Sequence, residues 1–258
     1  MALSKRVTDR ISSELKKYIT ILQEAQNRDI SESDTVVIIN DMLSDVLGYK
    51  KYTEVTTEFA IRGTYVDLAV KVNDEVRFLV EGKAIGLILK DNHVKQAMEY
   101  GAHHGIEWVV LTNGVIWRVY KVHFRQPIDQ TLIFEINLLE LGAKPISFVE
   151  QFGLLAREGF TQSSMNSYYQ HQQITGKYTI AAILQTPAVV AAIRKEIKKL
   201  APTIKPDDAC LLTCITDEVI KRELLESEEA KEATAFIKKV ARANERKVAK
   251  AAVDKTSE

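Results

Sequence analysis

The stretch GTYVDLAVKVNDEVRFLVEGKA, residues 63–84, decides the fold, because it alternates like two strands around a short polar turn. Such period-two alternation is typical of strands with one buried face. A three-residue loop at 73–75 brings the apolar side chains of both strands onto one face, whereas a two-residue loop would place them on opposite faces. The hydrophobic pattern therefore predicts both the hairpin and its register.

An acidic residue interrupts each of these strands. The predicted register sets Asp67 opposite Glu81, with their Cβ atoms about 5 Å apart, and like charges so placed cost ~0.2–1 kcal/mol unless a cation lies between them. Lys83 follows two residues after Glu81 and projects from the same face. Mg²⁺ prefers one or two carboxylates plus waters and phosphate oxygens. The pattern predicts a metal site for phosphodiester hydrolysis, in which the lysine orients the attacking water and stabilises charge on the phosphate.

The alternative is an exposed sheet face that simply carries charged residues. Glu-x-Lys also occurs in four helix-like segments, beginning at residues 14, 196, 229 and 245, so that motif by itself indicates little. The register also places Lys71 opposite Arg77, a like-charge pair that the metal site does not explain. Both interpretations stay open at the level of sequence.

Length and composition narrow the class of protein. The chain has 258 residues, enough for one large domain or a domain with an appendage. Lys plus Arg and Asp plus Glu both total 35, so attraction to nucleic acid would come from local patches. No apolar run reaches the ~18 residues of a membrane helix. Cys210 and Cys214 lack nearby histidines, which favours two free thiols on a helix face. We expect a cytoplasmic protein without a membrane segment.

The remaining pattern divides the chain into a mixed part and a helical part. Before residue 144 we predict a helix at 5–26, a second helix capped by Ser33 or Asp34 and ending at Gly48, strands at 54–61, 64–72 and 76–84, a helix at 92–103, a hairpin turning at Asn113-Gly114, and a strand at 132–136. Beyond it we predict helices at 145–156, 163–185, 187–200, 206–226 and 228–252.

An ordered set of motifs carries a family resemblance. Asp67, Glu81-Gly-Lys83, Gln96-x-x-x-Tyr100 and the hairpin LTNGVIWRVY together resemble the N-terminal nuclease domain of the type I restriction enzyme R subunit, in the PD-(D/E)XK superfamily. The likeness spans about residues 32–120. It implies an α+β or α/β fold: a restriction-endonuclease-like core over 1–144, with a central mixed sheet flanked by helices. An α-helical region of unknown role would follow over 145–258.

The resemblance also implies roles for individual residues. Asp67 and Glu81 would be ligands of Mg²⁺ or Mn²⁺, the Gly82 carbonyl a further ligand, and Lys83 the catalytic lysine. The same likeness assigns Gln96 and Tyr100 to DNA contact or to support of the site, and Glu32 and Glu58 to supporting acids. Gln96 and Tyr100 are four residues apart, which places them on one helix face.

The function that follows is Mg²⁺-dependent hydrolysis of DNA by an endodeoxyribonuclease. The sequence has no Gly-x-x-x-x-Gly-Lys-Ser/Thr loop, so no ATP-driven motor is expected in this chain, and separate motor or specificity subunits are possible partners. The alternative is a non-catalytic nucleic-acid-binding or assembly module that keeps the nuclease scaffold and acts with partner subunits. The sequence predicts no oligomeric state.

Several other features have two readings. The basic residues of the final helix either contact DNA phosphates or form a solvated helix face, and the acids just upstream favour the second reading; these residues are Lys238, Lys239, Arg242 and Arg246. His103 and His104 are expected to end a helix beside a glycine rather than to touch a substrate. Trp108, Trp117 and Tyr120 are expected in the core rather than stacked on bases.

Overall fold

A six-stranded mixed sheet organises the first part of the chain. A computed structural model describes residues 3–61, 64–124, 126–143 and 145–254, without the side chains of 59–61, 64, 141–147 and 244–254. The strands are β1 (Val55–Ile61), β2 (Thr64–Val72), β3 (Glu75–Gly82), β4 (Trp108–Thr112), β5 (Ile116–His123) and β6 (Asp129–Asn137). These described strands follow one another in chain order across the sheet, and among them only β3 and β4 are parallel neighbours.

Helices flank this sheet, which confirms the predicted fold class. A parallel strand pair needs a crossover connection, and a short 3₁₀ helix at Asp91–Val94 followed by helix α3 (Lys95–His104) supplies it between β3 and β4. The contacts group the chain into two compact units, Met1–Ser167 and Tyr168–Glu258, whereas the predicted domain boundary falls at residue 144. The helices of the first unit are α1 (Lys5–Asn27), α2 (Glu32–Asp45), α3 (Lys95–His104), α4 (Pro145–Gly153) and α5 (Arg157–Thr161).

Both faces of the sheet are covered, which corrects the expectation of one buried face. Phe78 and Leu79 are neighbours in β3, so they point to opposite faces, and both are fully buried. Leu79 lies in a core cluster with residues of α3, among them Tyr100. Phe78 packs against Tyr49, with ring centroids 5.8 Å apart. The candidate site therefore lies in a sheet that is packed on both sides.

The hairpin of β2 and β3 has the predicted register in its centre and a different turn. Leu68 pairs with Val80 and Val70 with Phe78, as the hydrophobic pattern predicts. The turn has two residues rather than three: Asn73 and Asp74, whose φ angles of 55° and 62° suit a tight turn of the mirror-image type.

A bulge reconciles that short turn with the predicted faces. The pairing shifts between Val70 and Lys71, so that Lys71 pairs with Val76 rather than with Arg77. Arg77 instead forms an ion pair with Glu75, 2.7 Å apart. The like-charge pair expected from the sequence is therefore not formed.

Other local predictions need smaller corrections. The cap of α2 is Ser31, whose hydroxyl accepts a hydrogen bond from the Asp34 amide at 3.2 Å, rather than Ser33 or Asp34. The turn at Asn113-Gly114 is confirmed, with a φ of 83° at the glycine. The core position of Trp108, Trp117 and Tyr120 is confirmed as well. His103 and His104 do end α3, beside Gly105 in the left-handed conformation.

The second unit is helical, with more breaks than predicted. The predicted helix at 163–185 is interrupted at Gly176, and the one at 206–226 is divided by a π-helical turn at Ile215–Val219. Cys210 and Cys214 are free, exposed thiols. In the described ranges, no helix combines the length and hydrophobicity needed to cross a membrane. The helices are α6 (Ser164–Thr175), which spans the boundary, α7 (Lys177–Leu184), α8 (Pro187–Leu200), α9 (Asp208–Cys214), α10 (Glu223–Glu226) and α11 (Glu228–Asp254).

Candidate active site

Three elements bring the predicted acids and lysine together. Asp67 lies on β2, Glu81 near the end of β3, and Lys83 directly after that strand. The pairing that runs through Leu68 and Val80 sets Asp67 at the position opposite Glu81. The Lys83 amide donates a hydrogen bond to the Thr112 carbonyl at 2.8 Å, so β4 fixes the backbone at the lysine.

Hydrogen bonds and ion pairs connect these side chains. The Gly82 amide donates to Asp67 Oδ2 at 2.7 Å. Lys83 Nζ donates to Glu81 Oε1 at 2.8 Å and to Glu32 Oε1 at 3.3 Å. Glu32 is the first residue of α2, so this helix adds a third carboxylate to the lysine. The predicted Asp, Glu and Lys do converge in the structure, with Glu32 beside them.

The Glu81 carboxylate is buried and only half satisfied. The residue is 8% exposed, and its Oε2 atom has no hydrogen-bond partner among the described residues. Leaving a buried acceptor without a partner costs about 1–3 kcal/mol, and more when the group is charged. An exposed face carrying charge, the alternative reading of the sequence, does not describe this environment.

The donor set fits a hard cation such as Mg²⁺. In the part of the chain that the structure describes, no three or more Asp, Glu, His or Cys side chains form a metal-binding group. A complete protein cage is not what Mg²⁺ requires, since it is commonly held by one or two carboxylates with waters and substrate oxygens. The unpartnered Glu81 oxygen beside Asp67 is therefore a suitable ligand position.

Electrostatics make the two carboxylates hard to ionise. Burial raises the pKa of Asp67, although the Gly82 amide and the Lys83 charge oppose the shift. Burial also raises the pKa of Glu81, against the hydrogen bond from Lys83, and the nearby Asp67 charge adds to the increase. Burial lowers the pKa of Lys83, but the hydrogen bond with Glu81 and the surrounding carboxylates outweigh it, so the net pKa is raised. A charged lysine thus lies beside two acids that a bound cation would help to ionise.

Gly82 lets α2 approach the end of β3 closely. A Cβ atom at this position would lie 2.7 Å from Val36 Cγ2, nearer than two carbon atoms can pack. The absence of a side chain at residue 82 therefore permits the contact that carries Glu32 to Lys83.

Gln96 and Tyr100 occupy different environments on α3. The exposed Gln96 donates from Nε2 to the Tyr65 carbonyl at 3.1 Å, two residues before Asp67 on β2. Tyr100 is 5% exposed and lies in the core cluster between α3 and the sheet, where burial raises the pKa of its phenol. The burial of Tyr100 argues against direct DNA contact by that residue, whereas Gln96 is exposed and anchors β2 near Asp67.

The remaining predicted site residues make no hydrogen bond or ion pair with Asp67, Glu81 or Lys83 among the described residues. Glu58 is exposed, has a left-handed φ of 48°, and stands in register opposite Asp67 without forming a strand pair. Lys238, Lys239 and Arg242 are exposed on α11 in the second unit. The side chain of Arg246 lies outside the described residues.

Sequence reasoning missed the role of Asn113. Its Nδ2 donates to the carbonyls of Ile85 and Leu87, both at 3.1 Å, while its Oδ1 accepts from the Ile116 amide at 2.8 Å. One side chain thus holds both its own turn and the chain that follows Lys83. The Asn-Gly pair signalled the turn, but no local pattern signals a tether to a segment more than 20 residues upstream.

Fold and site together define an α+β protein with an Asp, a Glu and a Lys grouped at one strand end of a mixed sheet. Residues 37–132 match the family described as Type I restriction enzyme R protein N terminus (HSDR_N). The predicted resemblance to this family is therefore confirmed over residues 37–132, a segment that includes Asp67 through Tyr100, while Glu32 lies just outside it. No curated protein and no solved structure matches the chain.

Proposed function

We propose that this chain is a metal-dependent deoxyribonuclease that hydrolyses phosphodiester bonds of DNA. The family match supports a nuclease-like role and DNA as the partner. The observation that carries the proposal is Glu81, which gives one carboxylate oxygen to Lys83 and keeps the other buried and without a partner. A purely structural ion pair would leave that second oxygen buried at a cost of about 1–3 kcal/mol, whereas a bound cation would satisfy it.

Asp67 and Glu81 would hold Mg²⁺ or Mn²⁺, with the Gly82 carbonyl as a further ligand. When bound, such an ion polarises a phosphate and lowers the pKa of a coordinated water. Lys83 stays protonated because carboxylates surround it, so its ammonium group donates hydrogen bonds to a phosphate oxygen or to the attacking water. Glu32 and Glu81 together fix the direction of that ammonium group.

Further groups would assist without taking part in the reaction. Gln96 holds β2 at Tyr65, close to Asp67. The exposed cations of α11, Lys238, Lys239 and Arg242, together with Arg246, would contact phosphates and add affinity without sequence specificity. We place the protein in the cytoplasm, acting alone or with separate motor or specificity subunits.

The direct test incubates the purified chain with plasmid, linear and single-stranded DNA in Mg²⁺, Mn²⁺ or EDTA. Cleavage in the presence of either metal and none in EDTA is the expected result. DNA binding without cleavage in any metal would instead support the non-catalytic assembly module.

A pair of variants on one strand assigns the activity to the site. Glu81→Gln should lower metal-dependent cleavage by about 100-fold or more, since it removes a charged ligand. Glu75→Gln is the matched control, because Glu75 is an exposed acid at the other end of β3 and should leave activity unchanged. Equal cleavage by the two variants would exclude Glu81 from catalysis.

A further inference from the structure

The chain directly after Lys83 presents two exposed apolar side chains on a short loop, residues 84–90. Ile85 and Leu89 are 1% and 3% exposed and anchor the loop in the core. Between them, Leu87 is 40% exposed and Ile88 is 77% exposed. We call these two residues the apolar tip. Its position four and five residues after the proposed catalytic lysine makes it part of the surroundings of the site.

Hydrogen bonds on several sides hold this loop. Asn113 binds the carbonyls of Ile85 and Leu87, and the Leu87 amide donates to the Ala84 carbonyl at 2.9 Å. Arg118 donates from one guanidinium nitrogen to the Leu89 carbonyl at 3.0 Å. The backbone that carries the apolar tip is therefore fixed, and the exposure of Leu87 and Ile88 is a property of an ordered loop.

Charge next to the apolar tip suits a nucleic acid. Lys90 and Lys95 are exposed and follow the tip, and neither forms an ion pair with any residue that the structure describes. On the other side of the tip, Lys83 is paired with Glu81 and Glu32, so the exposed cations near the tip are Lys90 and Lys95. Exposed lysines beside an apolar pair match the chemistry of a nucleic-acid strand, whose phosphates attract lysine and whose bases accept apolar side chains.

We propose that the apolar tip inserts between stacked bases of DNA next to the phosphate that is cut. Leucine and isoleucine are side chains that other DNA-binding proteins use as wedges, and such insertion unstacks and kinks the duplex. Unstacking would let the backbone bend toward Lys83 at the end of β3. This inference rests on the proposed nuclease function. It adds that the site requires DNA in which two neighbouring base pairs are unstacked.

The test compares a paired duplex with the same duplex carrying a central mismatched bubble. The Leu87→Ala/Ile88→Ala variant changes only exposed side chains, so the fold should be retained. Its cleavage of the paired duplex should fall by about 10-fold or more, while cleavage of the bubble, which is already unstacked, should stay within about 2-fold of the unchanged protein. Tyr52→Ala is the control, since Tyr52 is 91% exposed between α2 and β1 and should change neither rate.

Permanganate oxidation of unstacked thymines, measured in EDTA, provides a readout that does not depend on catalysis. Reactive thymines should appear in the paired duplex when the wild-type protein is bound. They should be absent when the double variant occupies the same fraction of the DNA. If the wild-type protein cleaves DNA and the double variant keeps the same ratio of paired-duplex to bubble cleavage rates, the wedge is overturned but the nuclease function is not. That result is expected if the apolar tip binds a partner protein instead. Failure of the unchanged protein both to bind and to cleave DNA would overturn the proposed function itself.

Discussion

At the scale of single residues, Asp67 and Glu81 keep their carboxylates close together in partly buried surroundings. Burial raises both pKa values, so without metal the folded chain binds protons more tightly than the unfolded chain. The free energy of unfolding therefore falls as the pH rises through the interval between the ordinary and the raised pKa values. Binding of a divalent ion to the folded chain would restore stability above that interval.

Asp67→Asn should make the metal-free protein more stable at neutral pH. The amide oxygen of asparagine still accepts the Gly82 amide proton, while the buried negative charge is removed. We expect a gain of about 1 kcal/mol, or ~2–4 °C in Tm, in EDTA. The rise in Tm that Mg²⁺ causes in the unchanged protein should disappear, which thermal unfolding with and without metal measures.

The control for this prediction is Asp74→Asn. Asp74 is an exposed acid in the turn between β2 and β3, and asparagine also tolerates its left-handed backbone conformation. This variant should keep the full response to Mg²⁺. A lower Tm for Asp67→Asn in EDTA would contradict the account of the two carboxylates.

At the scale of elements, the sequence predicted which faces meet in the central hairpin but not how the chain turns. Hydrophobic alternation reports the face of each side chain, and a two-residue turn with a bulge produces the same faces as a three-residue turn. The burial of Ala69 and Leu79 on the second face was also missed, although both residues are apolar. Alternation reveals a buried face clearly only when the other face is polar.

The part of the candidate site that depends on the pairing of β2 with β3 could be predicted from the sequence. Asp67, Glu81 and Lys83 share a face because of strand pairing, which sequence spacing encodes. The contact of Glu32 with Lys83 depends on where α2 packs against β3, and the tether of Asn113 depends on the crossover from β3 to β4. Such long-range contacts leave no local pattern in the chain.

Asn113→Ala should loosen the loop after Lys83. It removes the two hydrogen bonds from the Asn113 amide to the carbonyls of Ile85 and Leu87, and the buried Ile85 carbonyl loses its partner. We expect a loss of about 2–3 kcal/mol in the free energy of unfolding. Hydrogen exchange followed by mass spectrometry should show faster exchange of residues 84–90 under native conditions.

Asn137→Ala is a suitable control for this change. Asn137 also accepts a backbone amide proton just beyond a strand, from Leu139 at 3.1 Å, but it ends β6 and its side-chain hydrogen bonds go to Leu139 and Glu140 rather than to the loop. Its loss should leave exchange at residues 84–90 unchanged. If Asn113→Ala also leaves that exchange unchanged, the tether does not hold the loop.

At the scale of the whole molecule, contacts between residues distant in sequence join residues 145–167 to the sheet and to α1 within the first unit. Phe152 packs on Trp117 with ring centroids 5.0 Å apart, and the Tyr49 hydroxyl donates to the Leu155 carbonyl at 2.8 Å. Arg10 and Glu158 form a bidentate ion pair at 2.8 and 2.9 Å across 148 positions of sequence. Residues 145–167 thus complete the core that α1 and the sheet begin.

The Arg10–Glu158 pair predicts a pH dependence of stability. The hydrogen bond with Arg10 lowers the pKa of Glu158 below its ordinary value of 4.5. Because the folded pKa is depressed, the pair stabilises the protein fully above the ordinary pKa, and this contribution is lost as the pH falls through the folded pKa. Arg10→Met should therefore lower Tm at pH 7 and reduce the steepness of its decline below pH 4.5.

Lys17→Met tests whether this effect belongs to the long-range pair. Lys17 also binds a glutamate, Glu14, but the pair is exposed and lies within α1. Exposed pairs of this kind contribute little to stability. The Lys17→Met variant should therefore show the same dependence of Tm on pH as the wild-type protein. A dependence equal to that of Arg10→Met would contradict the prediction.

The contacts of residues 145–167 also decide where an independent folding unit can end. A fragment of residues 1–144 lacks Phe152 and Leu155, which are both completely buried, as well as the partner of Arg10. Removing large core side chains costs about 2–5 kcal/mol each, which is comparable to the whole stability of a domain. We expect 1–167 to show a cooperative urea transition and near-ultraviolet circular dichroism, and 1–144 to show neither. Equal cooperativity of the two fragments would instead support a domain that ends at 144.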